Sequence, residues 1–381
     1  MRTVECGLVI LPSAKSTAQD PLLVRVARGE AAERTPVWLM RQAGRYMAEF
    51  RKYSDRLGFR ERSETAEIAI ELSLQPWRAF RPDGVIMFSD ILTPLPALGI
   101  EFDVVRGKGP VIAAPVRSME HVRSLRSLDD PASALPFIAP ILRTLRSEVG
   151  GGAAVLGFVG TPWTLAAYAM EGSADRHCLQ TKRIMTAAPA VLHALLAHLA
   201  DALAVYVCHQ IDSGAQVVQL FDSWAHHLSP DQFAEFSLPY AERVIAAVRA
   251  VHPSVPLIYH ANGGTGKLDL MGGCSADVVG LDWATDISAA RAALGPSRPV
   301  QGNVDPMLLF APPDVLREAV VRCCRRAGPR GHILNVGHGV VQGTPEEAVG
   351  HFCDLARESA TFFDSDEAAA PLPLEASLVS C

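Results

Sequence analysis

The sequence predicts a single (β/α)₈ barrel of the TIM type, with the active site at the carboxyl ends of its strands. Eight short apolar runs recur along the chain, and they are nearly continuous rather than alternating, as parallel strands covered on both faces are. Helical patterns lie between many of them, and eight such alternations fit the length of a barrel. The eight runs, in chain order, are VWLMRQ, GVIMFSD, AVLGFVG, QVVQLFD, PLIYHANGG, DVVGLDW, PVQGNVD and HILNVGHG.

The intervening segments carry helix signals. Thr344-Pro-Glu-Glu reads as a capping box with proline in the first helical position, and Ser229-Pro-Asp-Gln repeats that start signal. Before the fourth run, apolar residues recur at helical spacing and predict a buried stripe. The stripe consists of Leu192, Leu195, Leu196, Leu199, Leu203 and Val207.

A doubly wound parallel sheet is the alternative architecture. Such a sheet more often carries a G-x-G-x-x-G fingerprint after its first strand, and this sequence has none. The segment ANGGTGKL resembles a phosphate-binding loop, but Ala261 stands where that loop needs its first glycine and Leu268 where it needs Ser or Thr. The barrel is therefore favoured.

Composition excludes several classes of protein. The net charge of the 381 residues is −6 and no block of Lys or Arg occurs, which excludes the electrostatic pattern of a nucleic-acid binder. No apolar run reaches the ~18 residues of a membrane span, so no membrane association is expected. Eight cysteines without paired spacing indicate a reducing compartment. The segment RCCRR, followed by Gly328, is typical of a helix carboxyl end.

The ends of the chain differ from the middle. Residues 1–20 and 366–381 are rich in small residues and proline without lasting periodicity, and they predict a poorly ordered lead and a disordered tail. The catalytic barrel is assigned to residues 21–365. The lead contains Glu5 and Asp20 and few hydroxyls, which makes it a weak transit peptide.

Polar side chains that end the predicted strands are the site candidates, because the loops after the strands form the catalytic face of such a barrel. Tyr168, shortly after the third run, joins them. The candidates at strand ends are Arg41, Gln42, Arg45, Asp90, Asp222, Ser223, His260, Asn262, Asp282, Asn303, Asp305 and His338.

Two cations four residues apart, Arg41 and Arg45, suit carboxylates or phosphates, although structural salt bridges use the same pattern. Asp90 ends an apolar run, where a buried carboxylate must be paired or hydrogen-bonded. It could cap a helix or accept N–H groups of a ligand. Both readings stay open for these residues.

The histidines are equally ambiguous. His338 lies between two glycines that allow close approach to a ligand, and a neutral core histidine fits as well. His226 and His227 are adjacent, so they make a poor metal pair and are expected at the surface. His260, near Asn262 and distant Cys274, is the one place to look for zinc, and its spacing does not supply three ligands. No nucleophile elbow surrounds Ser223.

With these residues identified, the chain resembles the uroporphyrinogen decarboxylase family over residues 20–363. Seven strings carry the resemblance in the family's order, and FRERSE and FDVVRGKGPV resemble the plant and algal branch. The seven strings are PVWLMRQAGRY, RPDGVIMFSDILTP, GFVGTPWTLAAYAMEG, QLFDSWA, VVGLDW, QGNVDP and NVGHGV.

The resemblance implies removal of four acetate carboxyls from uroporphyrinogen III, giving coproporphyrinogen III and CO₂, without metal or organic cofactor, in heme and chlorophyll biosynthesis. It implies that Arg41 and Arg45 hold substrate carboxylates and that Asp90 binds the pyrrole N–H groups. Asp90, Arg41, Tyr168 and His338 are the implied catalytic residues. The implied substrate-binding residues are Arg41, Gln42, Ala43, Gly44, Arg45, Asp90, Tyr168, Ser223 and His338.

Losing CO₂ from a pyrrole acetate requires an electron sink, and the pyrrole ring supplies one when a ring carbon is protonated. A nearby carboxylate such as Asp90 can stabilise that cation. Arg41 is the family's candidate proton donor, with delivery through the substrate as the alternative, because arginine is a poor acid.

Two rival functions are considered. Corrinoid-dependent methyltransferases of the same superfamily bind zinc through a His-x-Cys pair, where this chain has His260-Ala261-Asn262. A tetrapyrrole-binding relative without catalysis is the other. The resemblance further implies a homodimer, and the plant-like strings favour the chloroplast over the cytosol.

Overall fold

A computed structural model describes residues 20–44, 46–105 and 107–363. The predicted lead (apart from Asp20), the predicted tail and the candidate Arg45 lie outside the described residues.

A curled parallel sheet forms the centre of the fold. The strands of the described residues are β1 (Gly84–Ile86), β2 (Phe102–Val105), β3 (Gly109–Ile112), β4 (Ala154–Gly160), β5 (Val217–Asp222), β6 (Leu257–Ala261), β7 (Val278–Gly280), β8 (Val300–Gln301) and β9 (His332–Ile333). All of them except β2 and β3 form the central sheet, in the order β1-β4-β5-β6-β7-β8-β9, and every neighbouring pair is parallel. Each predicted run after the first contains one of these seven strands, which confirms the α/β class.

The first predicted run does not form a strand of that sheet. Its one β-bridge joins Val37 to Leu334, next to β9, and on its other side Val37 O accepts the N–H of Asp83, next to β1. The segment thus lies between the two edges of the sheet. Its other N–H groups bond to side chains instead of a strand ladder: Val37 N to Asp83 Oδ2 (2.9 Å) and Met40 N to Asn335 Oδ1 (3.0 Å).

A buried polar chain crosses the interior and ties that segment to the sheet. Trp38 Nε1 donates to Gln301 Oε1 (2.9 Å), and Gln301 Nε2 donates to Gln219 Oε1 (2.8 Å). Gln219 Nε2 then donates to the sulfur of Met40 (3.4 Å). All four side chains are buried, so each of these polar groups needs its partner.

Helices cover the outside of the sheet, and the strands alternate between two apolar clusters. Inward side chains such as Ile258 form the smaller cluster, while outward ones pack under the helices in the larger one. The helices are α1 (Leu22–Ala27), α2 (Ala48–Ser54), α3 (Phe59–Glu64), α4 (Ala66–Phe80), α5 (Met119–Arg123), α6 (Pro131–Ala134), α7 (Ile138–Val149), α8 (Pro162–Glu171), α9 (Leu179–Ala187), α10 (Pro189–Asp212), α11 (Pro230–Phe236), α12 (Leu238–Val251), α13 (Leu268–Gly272), α14 (Ile287–Leu294), α15 (Pro313–Ala327) and α16 (Glu346–Glu358), with 3₁₀ turns at Pro96–Leu98, Ala225–His227, Thr265–Lys267, Pro306–Phe310 and Ser359–Phe363.

Helix α1 belongs to the inner cluster. Its Leu23 lies beside Gly84 at the start of β1, where an added Cβ would come within 3.0 Å of Leu23 Cδ1. Helix α1 therefore covers the amino ends of the strands, and the carboxyl ends stay available for a site.

Two of three helix-end predictions are confirmed. Ser229 and Gln232 form a reciprocal capping box at α11. Helix α15 ends after Ala327 with Gly328 at φ +87°, as RCCRR predicted. The capping box at Thr344 is wrong, because Thr344 Oγ1 bonds to the carbonyl of Val341 and α16 begins one residue later than predicted.

Helix α10 corrects the expectation that no segment is long and apolar enough to span a membrane. Its 24 residues are long and apolar enough to cross a membrane, by length and composition only. More than half of its most apolar stretch is buried in the fold. It packs against α8 and α12, and every residue of the predicted leucine stripe is fully buried. The helix has the packing of a core helix.

The antiparallel hairpin of β2 and β3 was not predicted. Asp103 pairs with Val111 in its register, and one isolated bridge joins Val111 to Ser173. It lies in the long connection between β1 and β4.

Candidate active site

Arg41 follows the segment between the sheet edges and occupies an unusual backbone conformation. Its φ is +62°, a left-handed value that costs a non-glycine residue roughly 1–2 kcal/mol. Its carbonyl lies where a Cβ on Gly44 would come to 2.6 Å, and its side chain passes over Gly339. The guanidinium has no hydrogen-bond or ion-pair partner among the described residues, so it is available to a ligand.

Asp90 lies in the loop after β1. One carboxylate oxygen, Oδ1, accepts the N–H of Leu92 (2.9 Å), while the backbone N–H of Asp90 donates to Thr93 Oγ1 (3.1 Å). Burial raises the pKa of Asp90 above its ordinary value, and the Leu92 N–H and the positive charge of Arg41 oppose that rise. The second oxygen, Oδ2, makes no hydrogen bond with any described residue, so it is available to a ligand.

Tyr168 lies on α8, the helix after β4, and packs against an aromatic neighbour. Its ring is 4.5 Å from that of Trp224, centroid to centroid. Burial raises the pKa of the phenol, and Asp90 and Arg41 act on it with opposite signs. Tyr168 stays protonated at neutral pH and can donate or accept a hydrogen bond.

His338 lies in the loop after β9 and is half-buried. Burial lowers its pKa first, and the charges of Arg41 and His226 lower it further, against an opposing effect of Asp282. The imidazole makes no hydrogen bond within the described part of the chain. A neutral ring with free nitrogens at this position can contact a ligand.

These four side chains converge. Arg41 acts electrostatically on Asp90, Tyr168 and His338, although no ion pair within 4 Å joins any of them in the described ranges. A cation, a carboxyl group and two neutral polar groups thus lie near one another at the carboxyl ends of the strands, and the region between them is called the cleft below. Such a set can bind a ligand that carries both carboxylates and N–H donors.

Four other predicted binding residues follow strands or the Arg41 position. Gln42 is buried, and its side chain accepts the N–H of Leu39 and donates to the carbonyl of Gly84 (2.9 Å), which holds the Arg41 loop against β1. Ala43 and Gly44 complete that loop. Ser223 follows β5, and its carbonyl accepts hydrogen bonds from Asn262 and His226.

Asp222 faces away from the cleft into the helical layer. It is fully buried and accepts hydrogen bonds from the hydroxyls of Thr161, Thr164, Ser237 and Tyr259. Burial raises its pKa, and the four hydroxyls oppose that rise. Asp222 therefore joins β5 to β6, α8 and the start of α12 rather than contacting a ligand.

Three more strand-end candidates have local structural partners. Asp282 accepts the N–H of Gly264 and the hydroxyl of Thr285, and Asn303 donates to two carbonyls of the Asp282 loop. Asp305 caps the 3₁₀ turn that follows it through Met307 N.

His260 points into the sheet's interior and is discussed below. Cys274, its distant zinc partner in the sequence reading, is buried, with its sulfur near Ala276 N. Within residues 20–44, 46–105 and 107–363, no three His, Cys, Asp or Glu side chains lie together as a metal site would require. His226 is exposed as predicted, whereas His227 is half-buried.

The sequence reading missed the aromatic lining of the cleft. Phe158 and Phe221 point inward at the ends of β4 and β5, with ring centroids 5.8 Å apart and an interplanar angle of 84°. Trp224 follows Ser223 and packs on Tyr168. Strand alternation counted from the inward-facing residues would have found the two phenylalanines.

Comparison of solved structures places the fold. A methyltransferase from Methanosarcina mazei superposes with a TM-score of 0.75 at 18% identity, covering 89% of this chain and 99% of that one. A putative vitamin-B12 independent methionine synthase from Listeria monocytogenes gives 0.53 at 12% identity, covering 87% and 97%. At these identities the likeness shows the fold alone.

Sequence comparison is more specific. Uroporphyrinogen decarboxylases of Crocosphaera subtropica and Synechocystis sp. are each 53% identical over 339 residues, which is 89% of this chain and 96% and 97% of theirs. The family description "Uroporphyrinogen decarboxylase (URO-D)" matches residues 18–359. The chain belongs to the uroporphyrinogen decarboxylase family.

Proposed function

We propose that this chain is a carboxy-lyase that converts uroporphyrinogen III into coproporphyrinogen III by removing four acetate carboxyls as CO₂. The convergence of Arg41, Asp90, Tyr168 and His338 in one cleft is the observation that carries this proposal, together with relatives of that name at 53% identity. The reaction belongs to heme and chlorophyll biosynthesis.

The substrate's own pyrrole ring accepts the electrons. A proton adds to a ring carbon, the bond between the acetate methylene and its carboxylate breaks, and the electron pair neutralises the cationic ring as CO₂ leaves. A second proton converts the exocyclic methylene into a methyl group, and the ring loses the first one. Each cycle thus replaces one CO₂ with one proton, and neither a metal nor an organic cofactor takes part in this scheme.

Asp90 stabilises the ring cation. Its Oδ1 is held by Leu92 N, so the carboxylate has a fixed position before the charge develops, which is the condition for effective electrostatic catalysis. The free oxygen accepts pyrrole N–H groups. The charge of Arg41 favours the ionised form of Asp90 against the effect of burial.

Arg41 and Arg45 bind substrate carboxylates in this proposal. The guanidinium of Arg41 is planar, permanently charged and without a partner among the described residues, so it can form a two-pronged contact with an acetate or propionate. Gln42, Ala43 and Gly44 hold the loop that presents it. Tyr168, Ser223 and His338 complete the polar wall.

Closure of the barrel is part of the proposal. We infer that the segment from Pro36 to Met40 takes the place of the eighth barrel strand, between β9 and β1. The Val37–Leu334 bridge and the Asp83–Val37 hydrogen bond support this inference. The interior Trp38–Gln301–Gln219 chain supports the same closure.

A homodimer follows from the family resemblance, and exposed apolar side chains at the carboxyl ends of three strands support it. They are Trp283 after β7, Met307 and Phe310 after β8, and Val341 after β9. Burying such a surface against a second copy would remove it from water. The plant-like strings FRERSE and FDVVRGKGPV support a chloroplast location, with the cytosol as the alternative.

Incubation with uroporphyrinogen III, prepared by chemical reduction of uroporphyrin III, tests the function. Chromatography after oxidation should show products with seven, six, five and finally four carboxyls. Binding of the substrate without loss of a carboxyl would instead indicate a non-catalytic tetrapyrrole-binding protein, and would contradict the proposal.

A further inference from the structure

His260 lies on the inner face of β6 at its carboxyl end. Along β6, Ile258 belongs to the inner cluster, and Tyr259 points outward to bond Asp222. Because side chains alternate along a strand, His260 points inward one layer above Ile258. It therefore lies in the floor of the cleft that holds Arg41 and His338.

The neighbouring strands leave room for this imidazole. His260 is in register with Phe221 on β5, and the two ring centroids are 6.1 Å apart at 71°. On the other side it is in register with Gly280 of β7. An added Cβ at Gly280 would come to 2.8 Å from His260 Cβ and 2.9 Å from Nδ1, so only glycine fits beside the ring.

The two ring nitrogens of His260 are not equivalent. The side chain is 3% exposed, and Nδ1 is buried without a hydrogen-bond partner. Nε2 also has no partner in the described part of the chain, but it is not sealed from solvent as Nδ1 is. A buried donor without an acceptor is costly, so the neutral ring carries its proton on Nε2.

His332 provides an internal comparison. It is equally buried at 2% exposure, and its Nδ1 also lacks a partner. Its Nε2 donates to the carbonyl of Gly302 (2.6 Å), which fixes the proton on that nitrogen. Burial lowers the pKa of both rings to about 4, so both are neutral at pH 7. His260 has the same burial and the same unpartnered Nδ1, but its Nε2 has no acceptor among the described residues.

The missing acceptor has a definite chemical character. His338 and Asp282 are the charged or titratable groups that act on His260, and the backbone of Gly280 also favours its protonated form, but none of the three forms a hydrogen bond of normal geometry with the ring. Phe158, Phe221 and inward aliphatic side chains line the rest of this floor, and the inward amides of Gln219 and Gln301 are hydrogen-bonded to each other and to Met40 and Trp38. The N–H of His260 is thus a donor that the surrounding side chains do not use, and it suits one carboxylate of a ligand.

We propose that His260 is a substrate-binding residue, whose Nε2–H donates a hydrogen bond to a carboxylate oxygen of the bound tetrapyrrole. This inference rests on the proposed function. It selects which acidic substituent points toward the floor, and thereby influences the order in which the acetates reach Asp90.

Three substitutions separate the two nitrogens. In His260→Gln the amide nitrogen occupies about the position of Nε2, in His260→Asn it occupies about that of Nδ1, and His260→Phe keeps a ring without a donor. We expect His260→Asn and His260→Phe to raise KM for uroporphyrinogen about 10- to 100-fold. His260→Gln should restore most of that loss, and the distribution of seven-, six- and five-carboxyl intermediates should change in step with KM.

Thermal unfolding of each variant distinguishes binding from packing. His332→Gln is the matched control, and it should lower the melting temperature while KM stays at the wild-type value. Wild-type KM and intermediate distribution in His260→Phe would overturn the inference, and so would equal losses in the Gln and Asn variants that follow their melting temperatures. Absence of turnover by the wild-type protein would instead overturn the proposed function.

Discussion

Gly339 lies directly against the side chain of Arg41. A Cβ at Gly339 would come to 2.3 Å from Arg41 Cδ and 2.8 Å from its Nε, distances that non-bonded atoms do not reach. Arg41 itself has a left-handed backbone, with φ +62°. A strained backbone on one side and a glycine on the other therefore fix the position of the guanidinium.

The first prediction is that Gly339→Ala lowers kcat/KM for uroporphyrinogen by about tenfold or more, because the added methyl displaces Arg41 and a misplaced binding group can cost that much. Steady-state kinetics on the purified variant would measure the loss. The melting temperature should change little, since the arginine stem can move toward solvent.

Gly266→Ala is the matched control for this prediction, because no atom lies within 4 Å of its added Cβ. It should behave like the wild type. In an Arg41→Ala background, Gly339→Ala should have little further effect, since the glycine acts through the arginine. Additive losses in the double variant would contradict this relationship.

The second prediction concerns the carboxylate. Asp90→Asn should reduce kcat roughly 100- to 1000-fold, because a positioned charge that stabilises the transition state is lost while the shape is kept. The amide oxygen can still accept the N–H of Leu92, so the fold should persist. Circular dichroism and thermal unfolding would confirm folding, and near-normal turnover of the folded variant would reject the role of Asp90.

The third prediction follows from the raised pKa of Asp90. A carboxyl whose pKa is higher in the folded than in the unfolded state contributes stability at low pH, and this contribution is lost as pH rises through the folded pKa. The ionised side chain therefore destabilises the wild type at neutral pH, and Asp90→Asn removes that cost. Melting temperatures measured from about pH 4 to pH 7 should show the variant gaining on the wild type as pH rises. A constant difference would show that the pKa is not raised.

The fourth prediction is that chelators leave decarboxylation unchanged. In the ranges that the structure describes, no three His, Cys, Asp or Glu side chains converge to bind a metal. Turnover after dialysis against EDTA or a zinc-selective chelator measures this. Activity lost on chelation and restored by added zinc would contradict it.

Strand positions were predictable from sequence because buried parallel strands need continuous apolar runs. The first run was predicted to be a strand but does not form one, and its apolar residues give no sign of this. The N–H groups of Val37, Leu39 and Met40 bond to the side chains of Asp83, Gln42 and Asn335, and that of Trp38 bonds to the carbonyl of Leu334 in a single bridge. The β2–β3 hairpin is not predicted by the apolar runs because its two four-residue strands are only partly buried.

The site was only partly predictable. The sequence correctly predicted that polar residues at strand ends lie at one edge of the sheet. It did not predict the direction of each side chain, which decides whether the residue faces a ligand or the framework. Asp222 and His260 both end apolar strands, but strand alternation turns Asp222 outward to four hydroxyls and His260 inward to the cleft. The strained Arg41 backbone leaves no signal in composition or spacing.

The last prediction tests that structural reading of Asp222. Removing its carboxylate in Asp222→Ala leaves the hydroxyls of Thr161, Thr164, Ser237 and Tyr259 without their shared acceptor in a fully buried site. Such a loss should lower the free energy of unfolding by at least ~3 kcal/mol. Urea unfolding would measure it, and kcat per folded molecule should fall far less than in Asp90→Asn.

Asp305→Ala is the matched control, since Asp305 also follows a strand but only caps an exposed turn through Met307 N. Its cost should be about 1 kcal/mol, the usual value of a lost cap. If Asp222→Ala were as stable as Asp305→Ala but lost turnover as completely as Asp90→Asn, Asp222 would belong to the chemistry rather than to the framework. We expect Asp222→Ala to lose stability rather than turnover, because its four hydroxyl partners all lie on the outer side of the sheet.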